Sequence, residues 1–228
     1  LSNAPRPAAG VVAQLDRIGV PRFAWDAVLT SGDAARALVG AYAGKRVFHL
    51  GPERDLSLYD ELGVTLAEAA DADAVSCTGL FDDEIETPAD YADLLAELAA
   101  RNLAMICANP DITVERGNKI VYCAGALAAD YEARGCPVAY AGKPYLPIYD
   151  MAFAMMAKLK ERPVPKERVL CIGDGLRTDI KGAAAAGLDS VFIASGVHAP
   201  GGLSSETLAT LFPSQDERPI AAMPALAW

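Results

Sequence analysis

The segment between residues 168 and 187 constrains the fold more than any other part of this sequence. A short run, 168–172, ends at Gly173-Asp174, and an alanine-rich helical pattern begins near Thr178. A strand, a glycine-containing turn and a helix in this order make one βα unit of a parallel sheet. Open α/β sheets bind their ligands just beyond the carboxyl ends of the strands, so Asp174 is a candidate site residue.

Two carboxylates flank this turn. Asp174 follows the strand, and Asp179 falls in the first helical turn, where the helix dipole favours a negative charge. Proteins bind Mg²⁺ through one or two carboxylates, and water and phosphate oxygens complete its shell. The spacing therefore indicates a magnesium site, although an ordinary βα turn with Thr178 as N-cap explains it equally well.

The same alternation of apolar runs and helical patterns extends along the chain and predicts an α/β fold with a parallel sheet. Asp33 is expected to cap a helix that reaches Tyr42. Ser195-Gly196 are expected to follow the last strand. The predicted strands are 27–30, 46–50, 73–76, 103–108, 119–122, 138–141, 168–173 and 190–194.

Composition excludes several functional classes. The 228 residues suffice for one large or two modest domains, and the net charge of −10 speaks against non-specific binding of nucleic acid. The sequence contains no window of 18 consecutive apolar residues, so it predicts no membrane span. Five cysteines without a CxxC spacing indicate a reducing, cytoplasmic location, and His49 and His198 are too scattered for a zinc site.

Two further segments, taken together with Asp174, point to a phosphorylated small molecule as ligand. Ser2-Asn3, Lys143 and Asp174 each follow a short β run, so a parallel sheet brings them to one edge. A serine hydroxyl and an asparagine amide donate to phosphate oxygens, and a lysine ammonium offsets their charge. Phosphoryl transfer depends mainly on such positioning and charge stabilisation, so the set predicts a site for a phosphoryl group and Mg²⁺.

These motifs resemble those of the haloacid dehalogenase (HAD) superfamily of phosphatases, subclass IIA, the NagD-like group. Leu1-Ser2-Asn3 is similar to the second motif of the family, and Gly142-Lys143-Pro144 is similar to the third. Gly173-Asp174 together with Thr178-Asp179 resembles the fourth motif. The resemblance extends over nearly the whole chain.

The resemblance implies a role for each motif residue. Ser2 and Asn3 would bind the phosphoryl group, and Lys143 would bind both the phosphoryl group and the catalytic nucleophile. Asp174 would ligate Mg²⁺, and Asp179 would support the metal shell. The substrate would be a small phosphorylated metabolite.

The resemblance also implies a Rossmann-like parallel-sheet core with an inserted α/β cap domain of the C2 type. The cap would exclude water and recognise the leaving group. Caps of this subclass often dimerise, which makes a homodimer an expectation of the family. The core would comprise residues 1–44 and 138–228, and the cap residues 45–137.

Two loops of the predicted cap carry charge. The family resemblance indicates that the loop with Asp111, Glu115 and Arg116 faces the active site and determines substrate specificity. Glu115 and Arg116 would either bind a polar leaving group or only decorate a turn. The acidic run 81–84 is expected to be a solvated turn rather than a metal site.

The nucleophile of the family has no counterpart in this sequence. It is an Asp in a DxD motif upstream of the Ser-Asn segment, and Asp71-Ala72-Asp73 neither follows an apolar strand nor precedes a glycine. We therefore expect the sequence to be part of a longer gene product. By itself it should be inactive. Either an upstream segment from another piece should complete the sheet, or the sheet should have a gap where the central strand belongs.

The predicted function is Mg²⁺-dependent hydrolysis of small phosphomonoesters through an aspartyl-phosphate intermediate. The alternative is a HAD-like protein that binds phosphate and metal without turnover. A receiver domain of the response-regulator type also uses acidic strand ends and a lysine. It fits poorly, because the long insertion between Ser31 and Lys143 has no place in it.

Overall fold

The computed structural model describes residues 1–194, 203–214 and 218–226; Ser195-Gly196 lie outside the described residues. The chain divides into two compact units, Leu1–Gly142 and Lys143–Trp228. The predicted division into core and cap stays a prediction. None of the helices in the described ranges is both long enough and apolar enough to span a bilayer.

The first unit alternates helices and strands, as predicted for the α/β class. Its 3₁₀ turns are Arg22–Ala24, Glu53–Tyr59, Ala69–Asp71 and Pro88–Tyr91. Its helices are α1 (Ala8–Arg17), α2 (Ser31–Gly40), α3 (Ala92–Ala100) and α4 (Ala124–Ala133). Its strands are β1 (Arg46–Leu50), β2 (Thr65–Leu66), β3 (Ala74–Cys77), β4 (Met105–Cys107), β5 (Thr113–Arg116), β6 (Lys119–Tyr122) and β7 (Val138–Tyr140).

A parallel sheet with the order β2-β1-β3-β4-β7 forms the centre of this unit in the described part of the chain. All four residues of β3 are buried, because helices cover both faces of a central parallel strand. Leu95, Leu127 and Tyr131 pack on the sheet from α3 and α4. The predicted α/β class with a parallel sheet is confirmed.

The start of α2 differs from the prediction. Thr30, rather than Asp33, is the N-cap residue: its hydroxyl accepts from the Asp33 amide at 3.0 Å, and the Asp33 carboxylate accepts from the Thr30 amide at 2.9 Å. The two residues form a capping box, which satisfies two amides that helix formation leaves unpaired. The strand predicted at 27–30 is reduced to one parallel bridge between Thr30 and Ser2.

The second unit is built around a smaller parallel sheet. The strand order is β10-β9-β8 among the described strands. In the core of this unit, the rings of Phe192 and Phe212 pack edge to face with their centroids 5.3 Å apart. β8 is an edge strand, and Leu170 and Ile172 in it are each 50% exposed. The elements are α5 (Leu146–Lys160), a 3₁₀ turn (Lys166–Arg168), β8 (Leu170–Gly173), a π turn (Leu176–Ile180), α6 (Lys181–Ala186), β9 (Asp189–Ile193), α7 (Ser205–Leu211) and β10 (Ala221–Met223).

The cysteines are free thiols, and four of the five are buried. Burial raises the pKa of Cys77 to about 12 and raises the pKa of Cys107 well above its usual value. These thiols therefore stay protonated, and they pack as small apolar side chains.

Replacing Thr30 by Ala should lower the free energy of unfolding by about 2 kcal/mol, because a buried helix cap is lost. Thr30 is 0% exposed, and its hydroxyl also donates to the carbonyl of Arg6 at 2.8 Å. Urea unfolding measures the change. The control is Thr87→Ala, which removes an exposed hydroxyl from a second capping box, where it bonds to Asp90. Water can replace that bond, so an equal loss in the two variants would contradict the role of Thr30.

Candidate active site

The predicted second motif is held against the start of α2 in the first unit. The Ser2 amide donates to the Leu29 carbonyl at 3.0 Å, and the Ser31 amide donates to the Ser2 carbonyl at 2.8 Å. The Ser2 hydroxyl accepts from the Ala4 amide at 3.2 Å. The parallel bridge therefore fixes the backbone of Ser2 and Asn3 next to a helix N-terminus, where anions are favoured.

Asn3 joins this motif to the loop that the resemblance marks for substrate specificity. Its side chain is buried, and its Nδ2 donates to Oδ1 of Asp111 at 3.2 Å. The Asp111 amide donates to Oδ1 of Asn109 at 3.0 Å, which closes a turn directly after β4. The structure thus brings Asn3 and Asp111 together, although 108 residues separate them in the chain.

Gly142 explains why these groups pack so closely. A Cβ atom on Gly142 would lie 2.5 Å from Oδ1 of Asn3 and 2.7 Å from Cδ of Pro110. No larger residue fits without displacing Asn3 or the loop. The glycine that precedes Lys143 in the sequence is therefore required by packing within the first unit.

Arg116 does not lie free in its loop. It donates two hydrogen bonds to Asp83, whose side chain is only 8% exposed, and one to Glu84. The expectation of a solvated turn at 81–84 is therefore wrong for Asp83. No sequence signal revealed this contact, because Asp83 and Arg116 are 33 residues apart and belong to no common motif.

In the second unit, Lys143 and Asp179 form an ion pair. The Lys143 ammonium binds Oδ1 of Asp179, and their side chains are 12% and 17% exposed. The Gly175 amide donates to Oδ2 of the same carboxylate at 3.1 Å. Both oxygens of the Asp179 carboxylate therefore accept hydrogen bonds. The Lys143 ammonium is held against the turn that follows β8.

The helix after β8 begins earlier than predicted. A π turn runs from Leu176 to Ile180 and continues into α6, so Thr178 lies inside it and is not an N-cap. The amides of Asp179 and Ile180 both donate to the Gly175 carbonyl, at 2.8 and 3.0 Å. The wider turn directs the Asp179 side chain back toward Gly175, and such turns are frequent at functional sites.

Asp174 presents an exposed carboxylate directly after β8, and it has no hydrogen bond or ion pair with the described residues. Residues 1–194, 203–214 and 218–226 hold no cluster of three or more His, Cys, Asp or Glu side chains that suits a metal ion. Mg²⁺ needs only one or two carboxylates and keeps several waters. A single exposed carboxylate is enough for Mg²⁺, whereas zinc and calcium sites take more protein ligands.

Comparison with known proteins connects these residues to a family. A HAD-hydrolase-like family model matches residues 140–214, a range that contains Lys143, Asp174 and Asp179. A hydrolase of the haloacid dehalogenase-like family from Brucella suis 1330 has a TM-score of 0.89 and 48% identity, and the match covers 100% of this chain and 82% of that one. This chain belongs to the haloacid dehalogenase-like family.

Two further comparisons involve proteins named as phosphatases. A D-glycerol 3-phosphate phosphatase from Mycobacterium tuberculosis is 31% identical over 208 residues, which are 86% of this chain and 54% of the relative. The chain thus spans about half the length of that curated relative. The structure of a glycerol phosphate phosphatase from M. tuberculosis in complex with magnesium has a TM-score of 0.68 and 25% identity, covering 97% of this chain and 63% of that one. The predicted membership of HAD subclass IIA is confirmed.

Replacing Gly173 by Ala should lower the free energy of unfolding by about 1–3 kcal/mol. The added methyl group would lie 2.3 Å from Cγ of Asp179, a carboxylate that Lys143 and Gly175 hold in place. Chemical denaturation measures the change. The control is Gly40→Ala in α2, where a Cβ meets nothing within 4 Å and alanine favours the helix by up to about 1 kcal/mol. Similar losses in both variants would contradict the close packing of Asp179.

Proposed function

We propose that the protein containing this chain is a Mg²⁺-dependent phosphatase that acts on small phosphomonoesters. The observation that carries the proposal is the pairing of Lys143 with Asp179, which follows five residues after Asp174, a carboxylate that has no partner among the described residues. A fixed ammonium, together with a carboxylate that lies five residues before the partner of that ammonium, is what a phosphoryl group and its magnesium ion require. The relatives named as glycerol phosphate phosphatases support the same reaction class.

Each residue of this chain has a part in the proposed reaction. The Lys143 ammonium offsets the charge of the phosphoryl oxygens, and Asp179 holds that ammonium in place. Asp174 would hold Mg²⁺, which when bound supplies further positive charge against the same oxygens. Ser2 and Asn3 would donate hydrogen bonds to the phosphoryl group, as their motif implies.

The proposed chemistry proceeds through an aspartyl-phosphate. A carboxylate attacks phosphorus, the ester P–O bond breaks, and a second aspartate gives a proton to the departing alcohol. Water then attacks the aspartyl-phosphate and releases inorganic phosphate. The DxD motif of the family would supply both aspartates, so this step is assigned to the whole gene product.

A second candidate is a protein that binds phosphate and Mg²⁺ without turnover. It is favoured by the environment of the one Asp-x-Asp that resembles the motif in spacing. Asp73 accepts a hydrogen bond from the Arg46 amide at 2.9 Å, and Asp71 pairs with the Arg46 side chain at 3.5 Å. Both are thereby engaged where β1 and β3 begin, at the edge opposite to the strand ends that bind ligands. An Asp-x-Asp motif encoded upstream of Leu1 would favour the phosphatase over this second candidate.

Glycerol 3-phosphate is the first substrate to test, because the curated relative of 31% identity is named for it. The cytoplasmic location and the homodimer stay predictions. The full-length gene product should release phosphate from p-nitrophenyl phosphate when Mg²⁺ is present, and EDTA should abolish the release. Phosphate and Mg²⁺ binding without release would favour the second candidate.

In that full-length protein, Lys143→Ala should lower kcat by about 100-fold or more, because a fixed cation is lost from the phosphoryl group. Steady-state hydrolysis of p-nitrophenyl phosphate measures the effect. The matched control is Lys158→Ala, which removes an exposed lysine from the last turn of α5. An unchanged kcat in the Lys143 variant would show that this residue does not take part in catalysis.

Asp174→Asn should weaken Mg²⁺ binding by more than about tenfold, since the amide carries no charge to attract a divalent cation. Titration calorimetry with MgCl₂ reads the affinity without an activity assay. Asp150→Asn, at an exposed position on α5, should leave the affinity unchanged. Equal Mg²⁺ affinity in the wild type and the Asp174 variant would rule out this carboxylate as a ligand.

A further inference from the structure

Asp83 is a buried carboxylate that two arginines hold from different parts of the first unit. Arg116 donates from Nη1 to Oδ1 at 2.7 Å and from Nη2 to Oδ2 at 2.6 Å, and Arg54 also donates to Oδ2. The hydrogen bonds from Arg116 are the main reason why the pKa of Asp83 lies below its usual range. Asp83 therefore stays ionised, and a two-point contact with a guanidinium fixes direction as well as distance.

The hairpin of β5 and β6 depends on this contact. It forms a two-stranded sheet of its own among the described residues, and such a hairpin is only marginally stable alone. Its base is closed by the Cys123 amide, which donates to the Ile112 carbonyl at 2.9 Å. Its tip is held by Arg116 on Asp83 and by Lys119 on Glu84, the latter at 2.8 Å. Asp83 and Glu84 together fix the direction of the hairpin.

The hairpin has two different faces. Its register pairs Arg116 with Lys119 and Val114 with Val121, and side chains opposite one another share a face. This face carries the ion pairs and the buried Val121. The other face, which we call the open face, is exposed to solvent. It consists of Thr113, Glu115, Ile120 and Tyr122.

The hairpin that carries the open face begins close in the chain to a contact of the proposed phosphoryl-binding residue Asn3. Asp111 accepts a hydrogen bond from Asn3, and β5 begins only two residues later. A four-residue strand spans about 13 Å, which is enough to accompany a small group esterified to phosphate. Glu115 belongs to this face, whereas Arg116 is turned to Asp83.

The chemistry of the open face favours one class of leaving group. Thr113 and Tyr122 offer hydroxyl groups for hydrogen bonds, and Ile120 offers an apolar surface. Glu115 repels a second anionic group, because like charges that lose water disfavour one another. A neutral alcohol with several hydroxyls suits this set, and an alcohol that carries a carboxylate does not.

We propose that Asp83 is a positioning residue that orients the hairpin through Arg116, so that the open face selects phosphomonoesters of neutral, hydroxyl-bearing alcohols over esters that carry a carboxylate. The inference rests on the proposed phosphatase function. It assigns Glu115 to substrate selection and Arg116 to the architecture of the loop.

The test compares three substrates in the full-length gene product: p-nitrophenyl phosphate, glycerol 3-phosphate and 2-phosphoglycolate. Asp83→Asn should raise KM for glycerol 3-phosphate about tenfold, the effect of losing a charged hydrogen bond, while kcat for p-nitrophenyl phosphate changes less than about twofold. Arg116→Lys keeps the charge without the two-point contact and should fall between wild type and Asp83→Asn. The control is Asp71→Asn, which removes an exposed partner of Arg46. This variant should change neither KM nor kcat for any of the three substrates.

A second variant tests the open face without changing the contact between Asp83 and Arg116. Glu115→Gln should raise kcat/KM for 2-phosphoglycolate relative to glycerol 3-phosphate about fivefold or more, because a repulsive charge is gone. An unchanged ratio would overturn the role of the open face. Equal losses for all three substrates in Asp83→Asn would show that Asp83 only supports the fold, and the phosphatase proposal would stand. If the wild type hydrolyses none of the three, the proposed function and this inference both fail.

Discussion

The ion pair between Lys143 and Asp179 is the interaction on which the candidate site depends. Both side chains are largely buried, and a buried pair is stable only where good geometry and further hydrogen bonds replace the lost water. The Gly175 amide supplies such a bond, and Gly173 leaves the space that the carboxylate occupies. Loss of either partner would strand a charge, which costs about 3–5 kcal/mol for fully buried pairs. The ammonium therefore keeps its place before any ligand arrives.

The first unit uses the same device at Asp83. A carboxylate with little access to water is held by Arg54 from a 3₁₀ turn and by Arg116 from β5, two elements far apart in the sequence. In both units, a buried acid determines where a flexible basic side chain points. Long cationic side chains lose much conformational freedom when they are held, so a strong fixed partner is needed.

Much of the fold could be predicted because hydrophobic pattern and turn residues act locally. The strands at 46–50, 119–122 and 138–140 lie close to their predicted places. β5 was missed, because Thr113–Arg116 is largely polar and makes a strand only by pairing with β6. The cap of α2 was misplaced by three residues, because Thr30 and Asp33 are both good caps and the choice between them depends on the bridge to Ser2.

By itself the sequence determined the α/β class, the family and the candidate residues Lys143, Asp174 and Asp179, because turn glycines and carboxylates at strand ends have local causes. Only the tertiary structure decided which charges meet. Lys143 with Asp179, Asn3 with Asp111 and Arg116 with Asp83 are pairs separated by 33 to 108 residues. Such contacts depend on how strands and loops pack in space, and no spacing along the chain encodes them.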